Sequence, residues 1–434
     1  MNYIKSLFNI IQKRPYLIFL AIVTIGAIFS TTLTSRQDAL QFDASSYYIS
    51  ANEFVLQKLD FIELFSKPSF IDLGYPLALS FMIRVFGNNI KIFQVFNFLC
   101  WFLATVFIYK ALKLITDTKK TFLGSLVMAC SPIYLTFSAK LYSEPFAALG
   151  LSMIIYFLIK YKLKEYFYNL LGILFGMLIF FFTKSVYILL VIPILCFCLT
   201  RRYNYKYLIL ILFACLIIIR LFYSIQGGRS DYNLAIQSSK IHQSYGVIGA
   251  CSVYYLSYPL GKVVFPKLEG ACRQNDPQTF MPGYTQNPYI LAENIRDHFN
   301  IGSWLQIILS NPIKYLVVLL SNMTSIIFVE GVYANVTEHY NSVSAMILFG
   351  SIKIFFAFYI WSSLVKNFRT FLKYNLKTAL LSVIPLLYFF LIVGNYPVEQ
   401  RYFFPLMPWI YFYAALNIKG IGKITDIFLR SNNS

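Results

Sequence analysis

The side chains best suited to chemistry stand between long apolar runs. Asp43 lies in QFDASSYYISANEF, where Asp43, Tyr47 and Ala51 recur every four residues and so share one face of a helix. A carboxylate held there can take the proton of a hydroxyl within hydrogen-bond reach. The same spacing fits an aspartate that caps a helix N-terminus. Glu144 follows in SAKLYSEPFAAL, immediately before Pro145. Proline suits the first turn of a helix, and the helix dipole favours an acid at that end, so capping competes with catalysis for Glu144 as well. Lys140, Tyr142 and Glu144 together make a compact polar patch between two apolar runs, more than a plain connection needs. Glu399 and Arg401 stand in GNYPVEQRYFFPLMP. Arginine is suited to bidentate phosphate binding, and equally to anchoring a chain at an interface. Lys67 and Lys184 are two further cations at the margins of apolar runs, able to meet a phosphate or to snorkel.

The elements that must position these residues are membrane helices. Of 434 residues, 58% are hydrophobic, 19% aromatic and only 13% charged, against about 25% charged in average soluble domains. That balance excludes a disordered chain, a coiled coil and an ordinary cytosolic enzyme. Apolar runs recur from end to end, so the expected class is an all-α polytopic membrane protein forming one domain over 1–434. Runs and charge clusters place spans at 15–33, 93–113, 121–137, 145–160, 168–184, 186–200, 207–223, 342–361, 378–394 and 402–418. The first is read as an uncleaved helix, since its run is long enough to span and no small-residue cleavage site follows. Residues 34–92 form a first outer loop and 224–312 a long second one. Within the first, 73–87 is apolar but short, and is expected to lie as a juxtamembrane helix with Arg84 snorkelling. Residues 313–330 fit an embedded hairpin or half-helix better than a span, because a full crossing would turn Lys366 to Lys377 outward.

The net charge of +19 would suit a nucleic-acid-binding protein, but its placement argues otherwise. More than half of the 37 Lys and Arg residues fall in six short clusters, at 5–14, 110–120, 160–165, 201–206, 366–377 and 419–430, where only Asp117, Glu165 and Asp426 are acidic. This is the positive-inside pattern. It puts the N-terminus in the cytoplasm, and most acids on the far side or within spans.

Seven cysteines divide in two groups. Cys100, Cys130, Cys196, Cys198 and Cys215 sit in apolar runs, as small hydrophobes. Cys251 and Cys272 share the long polar loop, which should face an oxidising compartment, and a disulfide between them would stabilise it by about 3 kcal/mol. Two unpaired thiols are the alternative. His242, His298 and His339 are scattered and read as surface residues, with a zinc site using His242 or His298 and a carboxylate as the other reading.

In order along the chain, the motifs resemble a known family. A first span is followed by an outer-loop aspartate with a helical Tyr, then K-P…G-Y-P and S-P-x-Y…Y-S-E-P. T-K at an outer turn, a long loop, N-P-x-x-Y-L and E-x-R-Y-x-x-P-x-x-P complete the series. This arrangement resembles the GT-C glycosyltransferases, in the bacterial branch related to protein O-mannosyltransferases and lipid A aminoarabinose transferases. The resemblance implies a GT-C-like bundle of about 10–11 spans with outer juxtamembrane helices. It implies a polyprenyl-phosphate-linked sugar as donor, and a lipid, glycan or protein hydroxyl as acceptor on the periplasmic face of a bacterial inner membrane. Transfer would be inverting. Asp43 matches the family's first-loop acid and would be the general base. Glu144 matches the acid of the second outer loop and would orient the acceptor or hold a divalent metal cation. Lys67, Lys184 and Arg401 would meet the donor phosphate, while Tyr47, Lys140, Tyr142 and Glu399 would position substrate. The chain departs from the pattern where Pro68 stands single, and where the first loop lacks a D-x-D pair.

A polyprenyl donor keeps its phosphate at the bilayer boundary, where negative charge grows on it as the sugar leaves, and fixed cations stabilise that charge best where water is excluded. Two other readings remain: an O-antigen polymerase or ligase working through outer-loop arginines and a histidine, and a flippase or other transporter of lipid-linked sugar. Transporters tend to show internal repeats and charges inside spans, whereas here Lys353 is the clearest mid-span charge.

Overall fold

A computed structural model of the chain describes residues 14–34, 39–40, 43–56, 73–131, 137–163, 166–183 and 407–415, with a few helical positions among 309–316 and at 351, 362, 365 and 366. The chain divides into two compact units: Met1–Arg220 with Tyr359–Val383 and Phe404–Ser434, and Leu221–Phe358 with Ile384–Phe403. The helices described below all belong to the first unit.

Eight helices follow in order: α1 (Pro15–Leu33), α2 (Asp43–Leu56), α3 (Gly74–Phe86), α4 (Ile90–Ile115), α5 (Thr118–Ala129), α6 (Glu144–Leu163), α7 (Phe167–Thr183) and α8 (Met407–Ala415). No strand occurs among the described residues. The chain is an all-α polytopic membrane protein. Among the described residues, α1, α4 and α6 are long and apolar enough to cross a bilayer. In α1, Leu17, Ile25, Ile28 and Phe29 are exposed, an arrangement that water would penalise and lipid does not.

Side-chain chemistry explains where these helices begin and end. Pro15 opens α1, where its missing N–H costs nothing. Asn89 caps α4 by accepting from the Lys91 amide at 2.9 Å, and Asp117 caps α5 by accepting from the Lys120 amide at 2.9 Å. Two cations close helices from outside. Arg84 donates to the Phe54 carbonyl at 3.0 Å, in the last turn of α2, and Lys91 donates to the Thr31 carbonyl at 2.9 Å, in the last turn of α1. Both satisfy orphan carbonyls at the negative end of a helix dipole. Arg84, expected to snorkel, therefore has a partner within the protein.

The apolar segment expected at 73–87 is helix α3, 13 residues long. At about 20 Å it is too short to span a 30 Å core upright. It ends at Gly87 with φ 81°, the left-handed conformation that glycine adopts at no steric cost. Tyr75, Pro76, Leu79, Ser80 and Ile83 form its buried face, while Phe81, Val85 and Phe86 stay exposed. One expected span is corrected. The run 121–137 is not a single helix: α5 stops at Ala129, and residues 137–139 form a separate helical turn. Pro132 gives the reason, since it drives Ser131 before it away from the α region. The expected spans at 186–200, 207–223, 342–361 and 378–394 lie outside the described residues, as does most of 313–330.

Packing follows from aromatic anchors and close backbone approach. Phe19 of α1 is fully buried against Tyr109 and Phe122, with ring centroids at 5.6 and 5.9 Å, which joins α1 to α4 and α5. Helices α6 and α7 meet at Gly150 and Gly176. A Cβ on either would lie 2.8 Å from the other's carbonyl oxygen. Tyr411 of α8 donates to the Ser131 hydroxyl at 2.7 Å, at the end of α5.

Two outcomes test this account. Gly150→Val should destabilise the purified protein by about 1–3 kcal/mol through overpacking at the α6–α7 crossing, read as a lowered Tm in detergent. Asp117→Ala should cost about 1 kcal/mol as a lost cap. The Lys120 amide holds the Asp117 carboxyl below its ordinary range. Its contribution is therefore fully present above the unfolded-state aspartate range, and is lost as pH falls through the lower folded-state value. The Tm difference between wild type and Asp117→Ala should shrink over that acid window.

Candidate active site

The site assembles around the segment between α5 and α6. Ser143 occupies the cap of α6, with its carbonyl accepting the Ala147 amide at 3.0 Å. Glu144 is the first helical residue, and Pro145 comes next, where a helix needs no N–H. The dipole of a 20-residue helix thus favours a carboxylate at Glu144, as expected from the sequence. Burial was not expected. Glu144 has 0% exposure and Lys140 7%, while Tyr142 is buried beside them. The patch read as an outer-loop feature lies inside the protein.

Four elements enclose it. From α2 comes Tyr47, buried with Ala51 as the shared face predicts. Its hydroxyl accepts from the Ser143 hydroxyl at 3.3 Å. From α3 comes Tyr75, whose ring meets that of Tyr47 edge to face at 5.4 Å. Burial pushes the Tyr75 phenol well above its ordinary range, so it acts as a neutral donor. From α4 come Gln94 and Asn97, one turn apart on one face. The Gln94 amide donates to the Ala139 carbonyl at 2.6 Å. Asn97 donates to the carbonyls of Lys140 at 3.0 Å and Tyr142 at 3.2 Å, and accepts from the Tyr75 hydroxyl at 2.9 Å. Around the first loop, the Leu141 amide donates to the Ala39 carbonyl at 3.1 Å. The Lys140 ammonium lies 5.9 Å from the centroid of the Tyr142 ring, within cation–π range.

The expected site residues therefore divide. Tyr47, Lys140, Tyr142 and Glu144 converge. Asp43 opens α2 one turn before Tyr47, and the structure describes its backbone. Lys67, Lys184, Glu399, Arg401, Cys251, Cys272, His242, His298 and His339 lie outside the described residues. Among the described residues no three His, Cys, Asp or Glu side chains group as metal ligands.

Sequence reasoning missed Gln94, Asn97, Ser143 and Tyr75. The signal for two of them was present: carboxamides three residues apart inside an apolar run must be hydrogen-bonded if buried.

A protein-family model described as dolichyl-phosphate-mannose-protein mannosyltransferase, a family of the GT-C superfamily, matches residues 67–224. The resemblance read from the motifs is thus found independently over this stretch, which includes α3 to α7 and the whole 137–144 segment. The match supports a membrane glycosyltransferase using a polyprenyl-phosphate sugar donor. Asp43 and Tyr47 precede the matched residues, and Arg401 follows them. No curated protein matches the chain.

Ser143→Ala should cost about 1 kcal/mol, because the Tyr47 hydroxyl loses a buried donor. A Tm measurement in detergent micelles checks it, with a Tyr47→Phe, Ser143→Ala double variant less than additive.

Proposed function

We propose that the chain transfers a sugar from a polyprenyl-phosphate donor to an acceptor hydroxyl at the outer, periplasmic face of a bacterial inner membrane, with inversion. The observation that carries this reading is the meeting of α2 with the start of α6. Tyr47, one turn after Asp43 on the same helix face, hydrogen-bonds the hydroxyl of Ser143, the residue before Glu144. The backbone thus brings two acid-bearing helix starts toward one place. An acceptor oxygen attacks the anomeric carbon, the carbon–oxygen bond to phosphate breaks, and polyprenyl phosphate leaves with the bonding electrons. The acceptor proton passes to the Asp43 carboxylate. Glu144, buried at the positive end of α6, orients the acceptor through its hydroxyl hydrogens. Lys140 and Tyr142 line the approach, with Glu399 contributing from the later outer segment. Lys67, Lys184 and Arg401 offset the charge that develops on the phosphate. A carboxylate that both accepts a proton and stands on a preorganised helix accounts for transfer without a covalent enzyme intermediate.

The test uses the purified full chain in lipid nanodiscs with dolichyl-phosphate mannose and, in parallel, undecaprenyl-phosphate sugars, together with a membrane extract as acceptor. Wild type should transfer radiolabelled sugar. Asp43→Asn should lower kcat by about 10²–10⁴-fold. Transfer that survives this substitution would remove Asp43 as the base and favour a polymerase or ligase. Transport of lipid-linked sugar without transfer would reject the enzyme reading. Arg401→Ala should raise the donor KM or lower kcat, and an unchanged kcat/KM would make it an anchor alone.

A further inference from the structure

The carboxamide of Asn97 is buried in the middle of an otherwise apolar helix, and nothing in helix packing requires it there. Both of its N–H donors and its oxygen are hydrogen-bonded. Its two N–H groups point to the Lys140 and Tyr142 carbonyls, and its oxygen takes the Tyr75 hydroxyl proton. An asparagine amide can turn over, exchanging oxygen for nitrogen. Turned over here, the oxygen would face two carbonyl oxygens, which repel it. The two carbonyls, which only accept, therefore fix which way the amide lies, and the Tyr75 hydroxyl donates to the oxygen that this leaves on its side. The carbonyls that Asn97 holds belong to the residues two and four positions before Glu144. A turn further back, Gln94 holds Ala139. The path from Gln94 and Asn97 to Glu144 therefore runs from the end of the 137–139 turn through four residues of irregular backbone, 140–143, pinned from one side by α4.

We propose that Asn97 is a positioning residue for transfer, with its carboxamide held in place by the Tyr75 hydroxyl and its donors fixing the 140–143 backbone that presents Lys140, Tyr142 and Glu144 to the substrate. This rests on the transferase reading above. The link to Tyr75 has a directional consequence. Helix α3 carries Tyr75 on its buried face and Phe81, Val85 and Phe86 on its exposed face, so a displacement of α3 acts on the acid-bearing segment through the Asn97 amide as well as through the ring contacts of Tyr75 with Tyr47 and Phe146. An acid displaced by about 1 Å can cost 10²-fold in rate while leaving binding nearly intact.

Hydrogen–deuterium exchange and kinetics on the full chain in nanodiscs separate the possibilities. In Asn97→Leu, which keeps the volume and deletes every donor and acceptor, exchange of the 139–143 amides should rise at least tenfold while the cores of α4 and α6 keep their protection. With dolichyl-phosphate mannose, or whichever undecaprenyl-phosphate sugar wild type uses, kcat should fall 10- to 100-fold with the donor KM within twofold. Tyr75→Phe keeps the ring contacts and removes only the hydroxyl. It should show the same pattern at smaller size, a three- to tenfold loss in kcat, and it serves if Asn97→Leu does not fold. Unchanged exchange over 139–143 would overturn the proposal, as would raised exchange with unchanged kcat. If wild type transfers no sugar, the function proposed above fails, while the exchange result still decides whether Asn97 and Tyr75 hold the segment.

Discussion

A polar side chain sealed among apolar helices is costly unless its hydrogen bonds are made inside the protein, and the donors of Gln94 and Asn97 make theirs to the backbone around the site. Asn97 and Gln94 face the stretch where the chain leaves α5 and has not yet begun α6. Irregular backbone in a membrane protein is tolerable only where its carbonyls and amides are satisfied by protein or lie in water. Here the two carboxamides accept that burden. They leave the segment free to be non-helical, and so free to carry a proline, a lysine and a glutamate that a continuous helix would have aimed elsewhere. Pro132 and Pro145 mark the two sides of this interruption.

Around that interruption the helix ends are closed by side chains from neighbours rather than by their own sequence. Arg84 closes α2 and Lys91 closes α1. Both cations flank the α3–α4 turn, where Gly87 takes its left-handed conformation. One turn thus fixes the C-terminal ends of two helices and aims α4, which in turn carries Gln94 and Asn97 to the site. The glycine pair at 150 and 176 brings α6 and α7 to backbone contact, and Gly74 starts α3 with room for no side chain against Phe182 of α7. Close packing of α6 against α7 thus adds to the hydrogen bonds around the start of α6.

Much of this was legible in the sequence. The membrane class followed from the apolar runs, and the bounds of α1, α3, α4, α6 and α7 fall within a few residues of the hydropathy reading, because a helix in lipid must be apolar along its length. The face carrying Tyr47 and Ala51 followed from their spacing. What periodicity missed was contact between segments distant in sequence. Asn97 and Lys140 are 43 residues apart, and nothing local to either announces the other. The run at 121–137 misled because hydropathy does not register the backbone restriction that Pro132 imposes on its predecessor. The burial of Lys140 and Glu144 was hidden for the opposite reason: charge in a short stretch reads as solvent exposure, and only the enclosing helices reverse it.

The hydrogen bond from the Leu141 amide to the Ala39 carbonyl ties the second loop to the first by main-chain atoms alone. Such a joint is indifferent to side-chain identity, so residues 39 and 141 can change without losing this bond, while the Ser143–Tyr47 hydrogen bond remains tied to its side chains. Natural drift can then retune acceptor preference at either loop one substitution at a time. A chimera that imports a loop of different length from a relative has no such freedom, because the joint would fall out of register and both loops would have to be exchanged together.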